Sequence, residues 1–132
     1  MSKMVCAILM TPQAAWETAQ LWERLGAPGV TILNSVGYMD LKERLRQDDI
    51  PLFPSFQQLV NDEFEITAPQ RFLFSVVSDQ FDCDWLLDET EKALGAFARP
   101  HSGFAFVIPV LTVRGLRPHA HRPEQLGSLE PG

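Results

Sequence analysis

The chain of 132 residues has two cysteines, one tyrosine, no run of lysine and arginine, and no long apolar stretch. Each scarcity excludes something. Seventeen acidic against eleven basic side chains give a net charge of -6, so the basic footprint of a nucleic-acid binder is missing. The longest apolar run falls well short of the roughly 18 residues that a membrane span needs. The N-terminus lacks a basic flank, apolar core and cleavage site in succession. Together these predict a cytoplasmic protein. Cys6 sits in an apolar run and Cys83 in an acidic one, with no CxxC pair. That favours two reduced thiols, Cys6 in the core, over a disulfide framework or zinc site.

Also missing is any constellation that would carry a reaction. No nucleophile has a base at a telling spacing, and the two carboxylates of 82-DCDW-85 stand where a helix start would explain them as caps. An acylphosphatase-like enzyme would need an arginine where the first strand instead runs into Thr11-Pro12-Gln13. The expectation is a protein that is not an enzyme.

What the chain does have is a regular alternation of elements. At 45% hydrophobic it is long enough for one domain with a core and too short for two. Residues 4-MVCAILM-10 read as a buried strand. Thr11 then caps a helix with Pro12 in its first position, and Trp16, Ala19, Trp22 and Leu25 recur at spacings of three before Gly26 ends it. Strands follow at 30-VTILNS-35 and 71-RFLFSVVS-78. Asp82 or Asp84 caps a second helix with Leu86, Ala93, Leu94 and Phe97 as its stripe and Gly95 at its end. Residues 103-GFAFVIPVLTV-113 form the last strand.

The order β-α-β-β-α-β is the signature of an α+β, ferredoxin-like fold: a four-stranded antiparallel sheet with both helices on one face. Right-handed crossovers put the first and third strands in the centre. The last strand is then an edge, where Pro109 can turn its donor-less nitrogen away from the ladder. A long apolar edge is usually covered in natural proteins, here by a neighbouring subunit, which predicts a homo-oligomer. The domain spans residues 1–117, and the Pro-, Gly- and polar-rich residues 118–132 predict a flexible tail.

The connection between the second and third strands, about residues 37–69, is far longer than a hairpin needs. Residues 40-DLKERLRQD-48 have the composition of a short helix, 50-IPLFPSFQQLV-60 is apolar and broken by prolines, and 61-NDEFEI-66 is acidic. Such an excursion either carries recognition or covers an edge or subunit interface with Leu52, Phe53 and Phe56.

The combination 29-GVTILNSVGY-38, a long loop, 73-LFSVVSD-79, a helix ending in Leu-Gly and 103-GFAFVIPVLTVRGL-116 resembles the P-II-like signal-transduction family (nitrogen regulatory protein P-II) as a divergent member, over residues 4 to 117. The resemblance implies a homotrimer. It also implies adenine nucleotides bound between subunits, and a long T-loop that contacts a protein target such as a transporter or enzyme. By position it implies ligand contacts at Thr31, at Ser35 and Gly37 near the loop root, at His101, Ser102 and Gly103 in the phosphate-facing loop 99-RPHSG-103, and at Arg114 and Arg117 after the last strand. Tyr38, Arg44, Phe53 and Phe56 fall in the partner-binding loop.

The residues themselves carry part of this. Gly103 beside Ser102 lets backbone N–H groups approach an anion, the arginines can hold a phosphate, and His101 adds a donor that titrates near neutral pH. The plainer alternatives are a solvated strand end for the arginines, a loop residue without a role for His101 and an ordinary strand threonine for Thr31. Phe104, Gly115 and Leu41 stand where nucleotide-binding relatives have lysine, arginine and glutamine. The readings left are AMP, ADP or another small anion as effector, or no nucleotide at all, with no bound metal, and classical 2-oxoglutarate sensing is not expected. A rival reading takes 119-HAH-121 as the start of a metal site in a trimer of the CutA kind, through His119 and His121.

Overall fold

The computed structural model describes residues 1–39, 41–43, 70–97 and 102–118. Its elements are strand β1 (Ser2–Leu9), helix α1 (Pro12–Arg24), strands β2 (Thr31–Asn34) and β3 (Arg71–Val77), helix α2 (Cys83–Leu94) and strand β4 (Phe104–Val110). The strand order is β2-β3-β1-β4, with every neighbouring pair antiparallel. This is the ferredoxin-like arrangement expected, with β1 and β3 central and Pro109 on an edge strand opposite Lys3. No helix among the described residues is long and apolar enough to cross a membrane.

Alternation along the strands separates two faces. Val5, Ala7 and Leu9 of β1 and Leu73 and Val77 of β3 pack with Ala15 and Trp22 of α1 and Cys83 and Leu86 of α2 in one core. Met4, Cys6 and Ile8, paired with Val76, Phe74 and Phe72 on one side and with Ile108, Phe106 and Phe104 on the other, make the opposite face. No helix packs on that face among the described residues. It carries no charged side chain in β1, β3 or β4, and two aromatic pairs lie on it, Phe72 with Phe74 and Phe104 with Phe106.

The helices start and stop as their caps dictate. Thr11 Oγ1 accepts from Ala14 N at 3.0 Å and Asp82 Oδ1 from Trp85 N at 2.9 Å, satisfying N–H groups that a helix leaves open at its start. Gly95, at φ 64°, closes α2 in the left-handed conformation. Inside the core Trp22 Nε1 donates to Thr90 Oγ1 at 2.9 Å, and Thr90 in turn donates to Leu86 O at 2.7 Å.

Some sequence expectations change. Trp16 is 58% exposed, not part of the buried stripe, which runs through Ala15, Thr18, Leu21 and Trp22. A spacing of three falls about 60° short of a full turn at each step, so a stripe so spaced rotates off the core face. Ala93 is exposed and Phe97 lies beyond the end of α2. The last strand closes at Val110 rather than 113, and both cysteines are free and buried.

Candidate functional site

The strand ladder decides where the candidate residues meet. β1 pairs with β3 along all seven positions from Arg71 to Val77, but β2 covers the other edge of β3 only from Arg71 to Phe74. The chain leaving β4 starts from the end of the sheet where Val110 pairs with Ser2, beside the Lys3–Val77 pair. It passes Gly115 at φ 78°, a conformation easy for glycine. Residues 115–117 then reach the far side of β3. The result is a cleft of about 280 Å³ walled by residues 28–31, 74–76 and 115–117. Thr31 and Arg117, separated by most of the chain in sequence, both line it, with Val30, Phe74, Val76 and Leu116 as apolar wall.

Ser102 and Gly103 lie elsewhere. Gly103, at φ 107°, is pressed so closely on Ile8 that a β-carbon there would overlap the Ile8 carbonyl oxygen. Ser102 lines a second cleft, of about 210 Å³, with Leu9, Met10 and the first turns of α1. This loop enters the β4 edge while Thr31 starts β2 at the other edge, so three strand spacings, about 14 Å, separate them. One copy of the chain does not bring the two groups around one small ligand.

The remaining candidates cluster at the root of the long connection. Ser35 N donates to Gln70 O at 3.1 Å, so the chain leaves the sheet and returns to it at adjoining positions. Residues 38–39 and 41–43 are helical, and Leu41 N donates to Gly37 O at 3.0 Å. Tyr38 is exposed, with Lys42 Nζ 6.0 Å from its ring centre. Arg114 is exposed and outside the lining of the first cleft. His101, Arg44, Phe53, Phe56, His119 and His121 lie outside the described residues.

No group of three or more metal-ligating side chains gathers among the described residues. Burial pushes the Cys6 thiol up from its ordinary range. For Cys83 burial also raises it, Lys3 opposing and Asp84 and Asp82 reinforcing the shift. Neither thiol has the depressed pKa of a reactive one. Sequence reasoning missed Ser75, which lines the first cleft. Its only signal was a small polar residue in the otherwise apolar 72-FLFSVV-77.

No family model matches the chain, and no curated protein matches it. Among solved structures it is similar to a protein from Thermus thermophilus provisionally described as a PII-like signaling protein. The match has 20% identity and a TM-score of 0.47, covering 87% of this chain and 93% of that one.

Proposed function

We propose that the chain is a non-enzymatic, P-II-like regulatory protein of the cytoplasm. It works as a homotrimer that binds a small anionic effector, AMP or ADP, between copies and signals to a protein partner through residues 37–69. The observation that carries the reading is the convergence of Thr31 and Arg117 on one cleft. A guanidinium there offers charge-assisted hydrogen bonds to a phosphate, and the apolar wall suits the flat face of a base. Ser102 and Gly103 lie too far away to join this cleft within one chain, so they serve the ligand from a neighbouring copy.

Two features fit the regulatory part. Thr31 opens β2, and that strand ends at Asn34, immediately before the Ser35–Gln70 contact from which the long connection departs. An effector touching Thr31 is therefore four residues from the loop root, and it shifts the loop only by binding its arrangements with different affinity. The exposed, charge-free sheet face suits association between copies, since each copy carries a net charge of -6 and would repel another through its charged surfaces.

Calorimetric titration of the sized oligomer with AMP, ADP, ATP, cyclic AMP and 2-oxoglutarate tests this. Saturable binding of AMP or ADP, lost in Arg117→Ala, is the expected result. No binding of any of the five to a confirmed trimer would overturn the effector part, and a monomer would overturn the shared site.

A further inference from the structure

Charge is not spread evenly over the two sides of the sheet. The bare face has none in β1, β3 or β4. On the other side the helices carry Glu17, Glu23, Asp84, Asp88, Glu89 and Glu91 against Arg24 and Lys92, and Lys92 is already held by Glu89 at 3.4 Å. The helix layer is thus an acidic surface, and it stays open in any assembly built on the bare face.

A groove of about 520 Å³ lies along this layer, lined by Glu17, Gln20, Leu21, Glu23 and Arg24 of α1 and by Leu94 of α2. Its apolar part is Leu21 and Leu94. Glu17 and Leu94 also line the cleft of about 210 Å³ beside Thr11, so the two spaces adjoin at the last turn of α2, where a helix carries its negative end. Arg24 is about 10 Å further along α1 than Glu17, so the Glu17 end of the groove is negative throughout. The rim charges are unpaired. Glu17 accepts one hydrogen bond, from Gln13 Nε2 at 2.8 Å, and none of Glu17, Glu23 and Arg24 forms a salt bridge among the described residues.

Carboxylates over an apolar floor suit one kind of side chain. A lysine or arginine lays its methylene stem on leucine while its head reaches an acid. Nucleic acid and the anionic lipids of a membrane surface would be repelled by the same rim. We infer that the α1–α2 groove is a docking surface for a basic, leucine-bearing segment of a partner protein. An aliphatic side chain of that segment seats between Leu21 and Leu94, and an arginine or lysine beside it pairs with Glu17 at the carbonyl end of α2. The surface is separate from the effector cleft and from residues 37–69, and it depends on the reading of neither.

The test is a titration of the isotope-labelled full chain, followed by amide NMR, with a synthetic peptide alternating leucine and arginine. Counterparts carry glutamine for arginine or serine for leucine, and spermine serves as a small polycation. Saturable shifts confined to residues 14–24 and 94–96 are expected with the first peptide, none with the glutamine peptide, and weaker binding with the serine one. Glu17→Lys should weaken the first peptide about five-fold, the upper scale of an exposed ion pair. Asp88→Lys makes the same change in net charge outside the groove and should weaken it less than about two-fold. If the two substitutions act alike, or the shifts scatter over Asp84, Asp88 and Glu91, the attraction is one of net charge and the groove assignment fails. It fails as well if the peptide does not bind, if its shifts fall on the bare sheet face, or if spermine binds the groove equally well.

Discussion

Replacing Phe106 by aspartate places a carboxylate on the bare sheet face, midway along the edge strand β4. Phe106 is opposite Cys6 in the ladder and stacked on Phe104. Exposed fractions are 36% for Phe106, 55% for Phe104, 38% for Ile108 and 48% for Leu33. On side chains of about 200 Å² each, these leave about 350 Å² of apolar surface, worth roughly 9 kcal/mol per copy at about 25 cal/mol/Å² if all of it were covered. Association entropy offsets much of that gain. Phe106→Asp removes about 2 kcal/mol of burial per copy and adds several kcal/mol for desolvating an unpaired carboxylate. The sum, about 5 kcal/mol per copy, weakens association more than a thousand-fold. Sedimentation velocity over a wide concentration range should show a trimer for the parent and a folded monomer for the variant, with unchanged far-ultraviolet circular dichroism. A variant that sediments like the parent would refute the assignment of this face, as would a parent that stays monomeric throughout.

Further outcomes follow from the core and the loops. Trp22→Phe removes the Nε1 bond to Thr90 and opens a void at a fully buried site, so thermal unfolding should show a loss of about 2–3 kcal/mol. Gly103→Ala should cost about 2 kcal/mol or more, because φ is 107° and the new β-carbon meets Ile8. Gly29→Ala, with nothing within 4 Å, should be tolerated in the same denaturation assay. Both thiols have native pKa values raised above the ordinary 9.0. Their contribution to stability is therefore complete below that pH and is lost as the pH rises from 9.0 through the native values. Native protein should resist alkylation until unfolded, and a denaturation midpoint that stays flat from about pH 8 to above about pH 10 would contradict the shift.

The elements and their topology were legible because each is bounded by residues with a local mechanism. Thr11-Pro12, Asp82 and Gly95 mark helix ends whatever the surroundings, and right-handed crossovers place the last strand at an edge, where Pro109 is tolerated. What stayed hidden depends on register and on contacts across the chain. Trp16 reads as core until the rotation of α1 on the sheet is known. The shared cleft of Thr31 and Arg117 exists because β2 stops short on β3 and the chain after β4 crosses the end of the sheet. Neither fact has a local signature. The resemblance grouped Ser102 and Gly103 with Thr31, and the ladder separates them within one copy by the width of the sheet.

The hydrogen bond between Ser35 N and Gln70 O has a consequence for how this molecule can vary. It joins the two points at which the chain leaves and re-enters the sheet, so the ends of the connection are held side by side by the scaffold. Loop-closure entropy penalises a segment as long as 36–69 over a four-residue turn by only about 2 kcal/mol. With its ends fixed by the sheet and its length costing little in closure entropy, the connection can lengthen or shorten without moving the strands that anchor it.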